Sequence, residues 1–352
     1  MNFLDNLEEI QKIDQENLAE LTKRLPEQFQ TVWQEKNKIK IFPTYKKIKN
    51  IVICGMGCDR IAGEIIKKTI EESSSLPVEV LGQYQTLNYI DEKTLVIVLS
   101  YSGNTPEIIF LIKKLLKLKK RPGFFAVLGG GQLERIGQKE KIPFYKFFGK
   151  GPSRANLGYL ISASLIVLEK AGIIEKINFL SLIKRITIIN QYFFPEKNTK
   201  KNRAKHLAYQ IFDRLPIIVG AEHLWPIAMR WKKEINENAK TFAFAEESPE
   251  FFHNTVVGIE HPQRLKDESF FIFLESNFYQ EKIKKASSVF KKILTREKIS
   301  FETIQSSGRN RLEESITELI LADWVSFYLA MLNQVDPTPV KNIEIIKKEL
   351  KN

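Results

Sequence analysis

Residues 95–107, LVIVLSYSGNTPE, decide how this chain folds. Leu95 to Leu99 are apolar at every position, which suits a strand buried on both faces of a parallel sheet. The run breaks into Ser100-Tyr101-Ser102-Gly103-Asn104-Thr105. Beyond Pro106, apolar residues recur at helical spacing: Ile108, Leu111, Ile112, Leu115 and Leu116. A strand, a polar glycine-bearing loop and an amphipathic helix, in that order, make half of a βαβ unit.

The same alternation extends both ways. Upstream, Ile51–Cys54 reads as a strand, residues 59–72 as a helix and Val78–Leu81 as a second strand. Downstream, Phe124–Leu128 and Pro143–Lys146 read as strands, and a helix over 154–171 stops at Gly172. The second half repeats the plan. Strands are expected at 215–220, 241–245, 270–274 and 300–304. Helices are expected at 225–238, 279–296 and 312–333, and a last one at 340–351 after Pro337 and Pro339. Leu4, Leu7, Leu18 and Leu21 lie among charges in one or two amphipathic helices interrupted by Pro26. The fold class is α/β: two tandem doubly wound parallel-sheet domains with an N-terminal helical extension and a C-terminal helix. The expected boundaries are 1–45, 46–178 and 179–352.

A net charge of +12 favours anionic partners. The lysine pairs 113–114, 200–201, 232–233 and 347–348 fall mostly on the polar sides of apolar periodic segments. They read as solvated helix faces and not as a nucleic-acid surface. Cys54 and Cys58 make no disulfide framework, which points to a reducing compartment. As half of a metal site they lack a second half: His206, His223, His253 and His261 are the four histidines, and none lies near them. No metal is expected. MNFLDNLEEIQKID has neither the basic start nor the apolar run of a signal peptide. The longest apolar stretch, Leu157–Leu168, ends at Glu169 and is too short to span a membrane. A cytoplasmic protein without membrane partners is the expectation.

In open α/β sheets, ligands sit beyond the carboxyl ends of strands. Residues 100–106 stand there, with three hydroxyls and a glycine at a helix N-terminus. Free N–H groups and the helix dipole attract a dianion at such a place. A Ser/Thr-rich turn with Thr105 as N-cap accounts for the same residues equally well.

VIVLSYSGNTPEI resembles the phosphosugar-binding signature of the sugar isomerase (SIS) domain family. GMG at 55–57, GPSRANLGYL at 151–160, INENAK at 235–240, FFHNTVVG at 251–258 and LADWVSFYLAMLNQVDPTPV at 321–340 resemble one branch of it. That branch is the bifunctional phosphoglucose/phosphomannose isomerases, and the resemblance covers about residues 45–350. It implies an aldose–ketose isomerase that converts glucose 6-phosphate and/or mannose 6-phosphate to fructose 6-phosphate through an enediolate. Glu237 is then the base that moves a proton between C1 and C2, the task a carboxylate suits. His253 helps open the sugar ring from across a dimer interface, with Phe251-Phe252 as interface material. Arg154 faces the enediolate oxygens, and Lys347 stands near the ring oxygen. Ser100, Ser102, Thr105, Gly57 and Asp59 form the phosphate-binding set. The implied partners are a phosphorylated hexose and a second copy of the chain, with no cofactor.

One loop departs from the family. Gly-Met-Gly-Gly-Ser-Gly is replaced by Gly55-Met56-Gly57-Cys58-Asp59-Arg60, so an aspartate stands where a phosphate-binding serine belongs. Two like charges ~4 Å apart repel by about 4 kcal/mol at an effective dielectric of 20. Uncompensated, that is roughly a thousandfold in affinity. Asp59 as a helix cap, and Arg60 turned inward, are two ways around it. The departure keeps open a diverged family member that acts on another sugar, or a non-catalytic sugar-phosphate sensor. Gly55-x-Gly57-x-x-Arg60 lacks the third glycine of a dinucleotide fingerprint, which argues against NAD.

Overall fold

The computed structural model describes residues 2–84 and 87–349. The chain divides by packing into two compact units. One holds residues 24–187 with 311–315; the other holds 1–23, 188–310 and 316–352.

In the first unit, helix α3 (Leu25–Gln34) follows two short helices, α1 (Leu7–Ile13) and α2 (Leu18–Lys23), that belong to the other unit. The sheet comprises β1 (Asn50–Cys54), β2 (Val78–Leu81), β3 (Thr94–Ser100), β4 (Gly123–Leu128) and β5 (Phe144–Lys146). Its order is β2-β1-β3-β4-β5, and all pairs are parallel. Ile53 faces Val80 on one side and Ile97 on the other. Every residue of β3 is buried, as its central position and the apolar run Leu95–Leu99 require. Helix α4 (Cys58–Ser73) follows β1, α5 (Pro106–Leu115) follows β3, and α6 (Gly131–Lys139) follows β4. Ile108, Leu111, Ile112 and Leu115 of α5 pack onto Val96, Val98 and Ala126 of the sheet. Helix α7 (Leu157–Lys170) is buried along Leu157–Leu168. It starts three residues later than its periodicity predicts, because residues 153–156 form a 3₁₀ turn. Asn156 ties that turn back, its amide donating to Lys150 O (2.8 Å) and Pro152 O (2.9 Å).

The chain runs from β1 out to β2, then back across β1 to β3. This reversal sets the loops after β1 and β3 side by side at the carboxyl edge of the sheet, the switch point where doubly wound folds bind ligands.

Helix α8 (Phe179–Tyr192) leads to the other unit, which contains α9 (Arg203–Ile211), β6 (Leu215–Ala221), α10 (Trp225–Asn238), β7 (Phe244–Ser248), α11 (Leu265–Glu268), β8 (Ser269–Glu275), α12 (Glu281–Arg296) and β9 (Ser300–Gln305). Its sheet order is β7-β6-β8-β9, again all parallel. β7 lies three residues beyond its expected position. Residues 239–243 are occupied in closing α10: Ala243 N–H donates to Asn236 Oδ1 (2.9 Å), and Asn333 donates to Ala239 O and Thr241 Oγ1 (both 2.8 Å). Helix α13 (Arg311–Leu332) has the length and apolarity of a membrane span but is a core helix, with Ile316, Trp324, Phe327, Tyr328 and Met331 fully buried. Helix α14 (Lys341–Glu349) ends the described chain with every residue exposed.

Candidate active site

The expected residues fall in both units. Ser100, Ser102, Thr105, Gly57, Asp59 and Arg154 belong to the first; Glu237, His253 and Lys347 belong to the other.

At the head of α5, the loop 100–105 is shaped mostly by its own side chains. Ser100 Oγ accepts the Gly103 N–H (3.1 Å) and lies 3.4 Å from Thr105 Oγ1. Ser102 Oγ accepts the Asn104 N–H (3.2 Å). Gly103 has φ +62°, and a Cβ there would stand 1.7 Å from Gly130 O, so only glycine fits. Gly103 O in turn accepts the Leu133 N–H (2.8 Å), which pins the loop to the start of α6. Thr105 is the N-cap residue, but its side chain caps nothing. Among the described residues the N–H groups of Ser102 and Thr105 make no hydrogen bond. The first-turn N–H groups of Glu107 and Ile108 have no intrahelical acceptor by helix geometry. Such donors, together with the helix dipole, suit an anion.

Gly57 precedes α4 with φ +57°, and a Cβ there would meet open space, so glycine serves its conformation and not a close approach. Asp59 is buried, 5% exposed. Its carboxylate accepts the Tyr101 N–H on Oδ2 (3.2 Å) and the Ser153 hydroxyl on Oδ1 (3.0 Å). Arg60 turns outward to Glu64, with Nε 3.5 Å from Oε1 on a half-exposed side chain. Arg154 is also buried, 5% exposed, in the 3₁₀ turn before α7.

Gln28, Asn156 and Tyr101 hold that turn. Gln28 of α3 donates to Ala155 O (2.6 Å) and accepts the Gly158 N–H (2.9 Å). Asn156 closes the loop onto Lys150 and Pro152. Tyr101 donates its hydroxyl to Gly151 O (2.7 Å). Burial raises the Tyr101 phenol above its ordinary value. Gln28, more than a hundred residues upstream of its partners, carries no sequence signal of that duty. Tyr101 sat in plain view inside the motif.

Glu237 stands in the last turn of α10, half-buried. Its neighbours are both anchored. Asn236 accepts the Ala243 N–H, and Asn238 donates to Glu234 Oε2 (3.0 Å) and Ser326 Oγ (2.9 Å). Lys240 Nζ donates to Glu237 O (2.6 Å) and Pro337 O (3.0 Å), closing the helix end. A cavity of about 660 Å³ opens there, lined by Glu237, Asn236, Lys240, Asp336, Pro339 and Ile343 among others. Lys347, one turn beyond Ile343 on α14, is exposed and does not line it. His253 ends a 3₁₀ turn, Glu250–His253, and is exposed. Phe251 is not surface material: it is 1% exposed and packs against Phe290, ring centroids 5.0 Å apart, while Phe252 is half-buried on the same ring. The aromatic pair anchors the turn that carries His253.

Cys54 is fully buried, and burial pushes its thiol up to about 12, which suits an inert core residue.

Residues 44–140 match the SIS domain, and residues 200–350 match the bacterial phospho-glucose isomerase C-terminal SIS domain. A bifunctional phosphoglucose/phosphomannose isomerase of Caldicellulosiruptor bescii is 31% identical over 93% of this chain and 96% of its own. One of Aquifex aeolicus is 30% identical over 86% and 91%. Among solved structures, the C-terminal domain of glucosamine-fructose-6-phosphate aminotransferase from Francisella tularensis superposes with a TM-score of 0.71. It is 14% identical and covers 91% of this chain and 97% of that one, a likeness of fold.

Proposed function

This chain belongs to the bifunctional phosphoglucose/phosphomannose isomerase family, an aldose–ketose isomerase family built on SIS domains, and from that premise we propose that it interconverts glucose 6-phosphate and/or mannose 6-phosphate with fructose 6-phosphate. The observation that carries the reading is the head of α5, where unpaired N–H groups and the Ser102 and Thr105 hydroxyls offer a phosphate its donors. Ser100 shapes that loop from within, and Gly57 borders it at the head of α4.

The chemistry assigns the remaining roles. Glu237 removes the proton from C2 of the open aldose while the C1 carbonyl oxygen takes up the electron pair, giving an enediolate. The same carboxyl returns the proton to C1 as the C2 carbonyl forms, and the O2 hydroxyl proton passes to O1, so base and acid alternate in one group. Arg154 is permanently cationic and offers fixed donors, which suits the developing oxyanion. His253 assists ring opening from a second copy of the chain, and Lys347 serves the ring oxygen once α14 brings it near. A homodimer in the cytoplasm is the form this requires.

Purified protein incubated with either aldose 6-phosphate is expected to yield fructose 6-phosphate. Folded protein that binds a sugar 6-phosphate in calorimetry but turns over neither aldose would replace this reading with a sensor or with an enzyme for another sugar. The substitution at residue 59 is what favours that second reading.

A further inference from the structure

Asp59 occupies the second position of α4, and both of its carboxylate oxygens are committed. Oδ2 accepts the N–H of Tyr101, 42 residues on, and Oδ1 accepts the hydroxyl of Ser153, 94 residues on. Tyr101 is the first residue of the phosphate loop after β3. Ser153 is the neighbour of Arg154. One buried carboxylate therefore ties the start of the anion loop to the start of the arginine turn. A serine offers one neutral oxygen on a shorter side chain, where the carboxylate gives each donor an oxygen of its own. Arg60, the next residue in the chain, points to Glu64 one turn along α4.

We propose that Asp59 is a positioning residue: it fixes the 153–154 turn against the 100–105 loop, so that Arg154 keeps one place relative to the phosphate held at the head of α5. This rests on the isomerase reading above. A carboxylate is the stronger acceptor for two N–H or O–H donors, because charge-assisted hydrogen bonds are about twice as strong as neutral ones. Burial adds to this, since low dielectric strengthens the tie and penalises its loss. The Tyr101 hydroxyl on Gly151 O and the Gln28 amide on Ala155 O brace the same turn from other sides. Asp59 is the member of this set that reaches the backbone of the anion loop. In this chain the first loop thus gives up a hydroxyl donor and gains a strut. Phosphate recognition then falls on the loop after β3.

Kinetics with glucose 6-phosphate separate this from a merely repulsive charge. Asp59→Ala is expected to lower kcat roughly tenfold or more while KM moves by less than about threefold, because the arginine turn loses its register. Asp59→Asn recovers most of the loss, since its amide accepts from Tyr101 N–H and donates to Ser153 Oγ. Ser153→Ala lowers kcat in the same sense and adds little on top of Asp59→Ala, as members of one network do. A fall in KM with kcat kept in Asp59→Ala would show that the carboxylate only repels the substrate and would overturn the proposal. So would equal losses in the Ala and Asn variants. Amide exchange at Tyr101 in the full chain reads the tie without turnover. It is expected to quicken in Asp59→Ala and recover in Asp59→Asn; unchanged exchange in Asp59→Ala would overturn the proposal. Because this readout needs no activity, a chain that isomerises neither aldose would still report on Asp59.

Discussion

Glu237→Gln is expected to lower kcat about a thousandfold, within the range a general base contributes, with little change in KM. The amide matches the carboxylate in shape, so the cavity at the end of α10 and the anchors on Asn236 and Asn238 stay in place. What is lost is the ability to take a proton from C2 and return it to C1. Steady-state kinetics with the aldose, beside calorimetry of sugar-phosphate binding, checks this. A variant that keeps kcat within about threefold would remove Glu237 from the role of base. His253→Ala extends the test to the second copy. If Glu237 of one chain works with His253 of its partner, mixing the two inactive variants yields hybrid dimers with one whole site each, and about a quarter of the activity returns. No recovery on mixing would place both groups on the same chain.

Much of the fold was legible because its signals are local. β3 announces itself by five consecutive apolar residues, and α5 by Pro106 and the 3.6-residue recurrence from Ile108 to Leu115. The two parallel sheets follow from strand–helix alternation. The misplacements came where tertiary hydrogen bonds override pattern. Asn236 and Asn333 hold residues 239–243 in the closure of α10, which pushes β7 onward. Asn156 turns the start of α7 into a 3₁₀ turn. Phe251 shows the limit of reading polarity from sequence: a Phe-Phe-His triplet in a loop suggests surface, but Phe290 of α12, far along the chain, buries it. At the candidate site the residue types were readable and the orientations were not. Asp59 and Arg60 are adjacent in sequence, yet one faces inward to Tyr101 and Ser153 and the other outward to Glu64. Helical geometry at the head of α4 separates the two side chains by about 100°, and no local signal sets which of them faces the sheet.

Arg230→Ala is expected to destabilise the protein by about 3–5 kcal/mol, the usual result of removing one partner from a buried ion pair. Arg230 is 1% exposed, so solvent cannot take its place. Its Nη1 lies 2.6 Å from Glu234 Oε1, one helical turn on in α10, and its Nε and Nη2 lie 2.9 and 2.8 Å from Asp323 Oδ1 on α13. Alanine takes the guanidinium from between the two carboxylates and opens a void of its size. Against a typical total of about 5–15 kcal/mol, such a loss is a large share of the fold's margin. Arg230→Lys should fall between, because an ammonium keeps the charge but lacks the planar fork that meets both carboxylates at once. Urea midpoints of the three proteins at neutral pH measure the differences. The same network bears on catalysis, since Glu234 Oε2 holds the amide of Asn238, which also reaches Ser326 Oγ on α13, and Asn238 adjoins Glu237. Any Arg230 variant that still folds should therefore lose kcat as well as stability, as the last turn of α10 loosens. A cost below about 1 kcal/mol in Arg230→Ala would mean that the two carboxylates find other partners or water, and that the anchoring of Glu237 does not run through this pair.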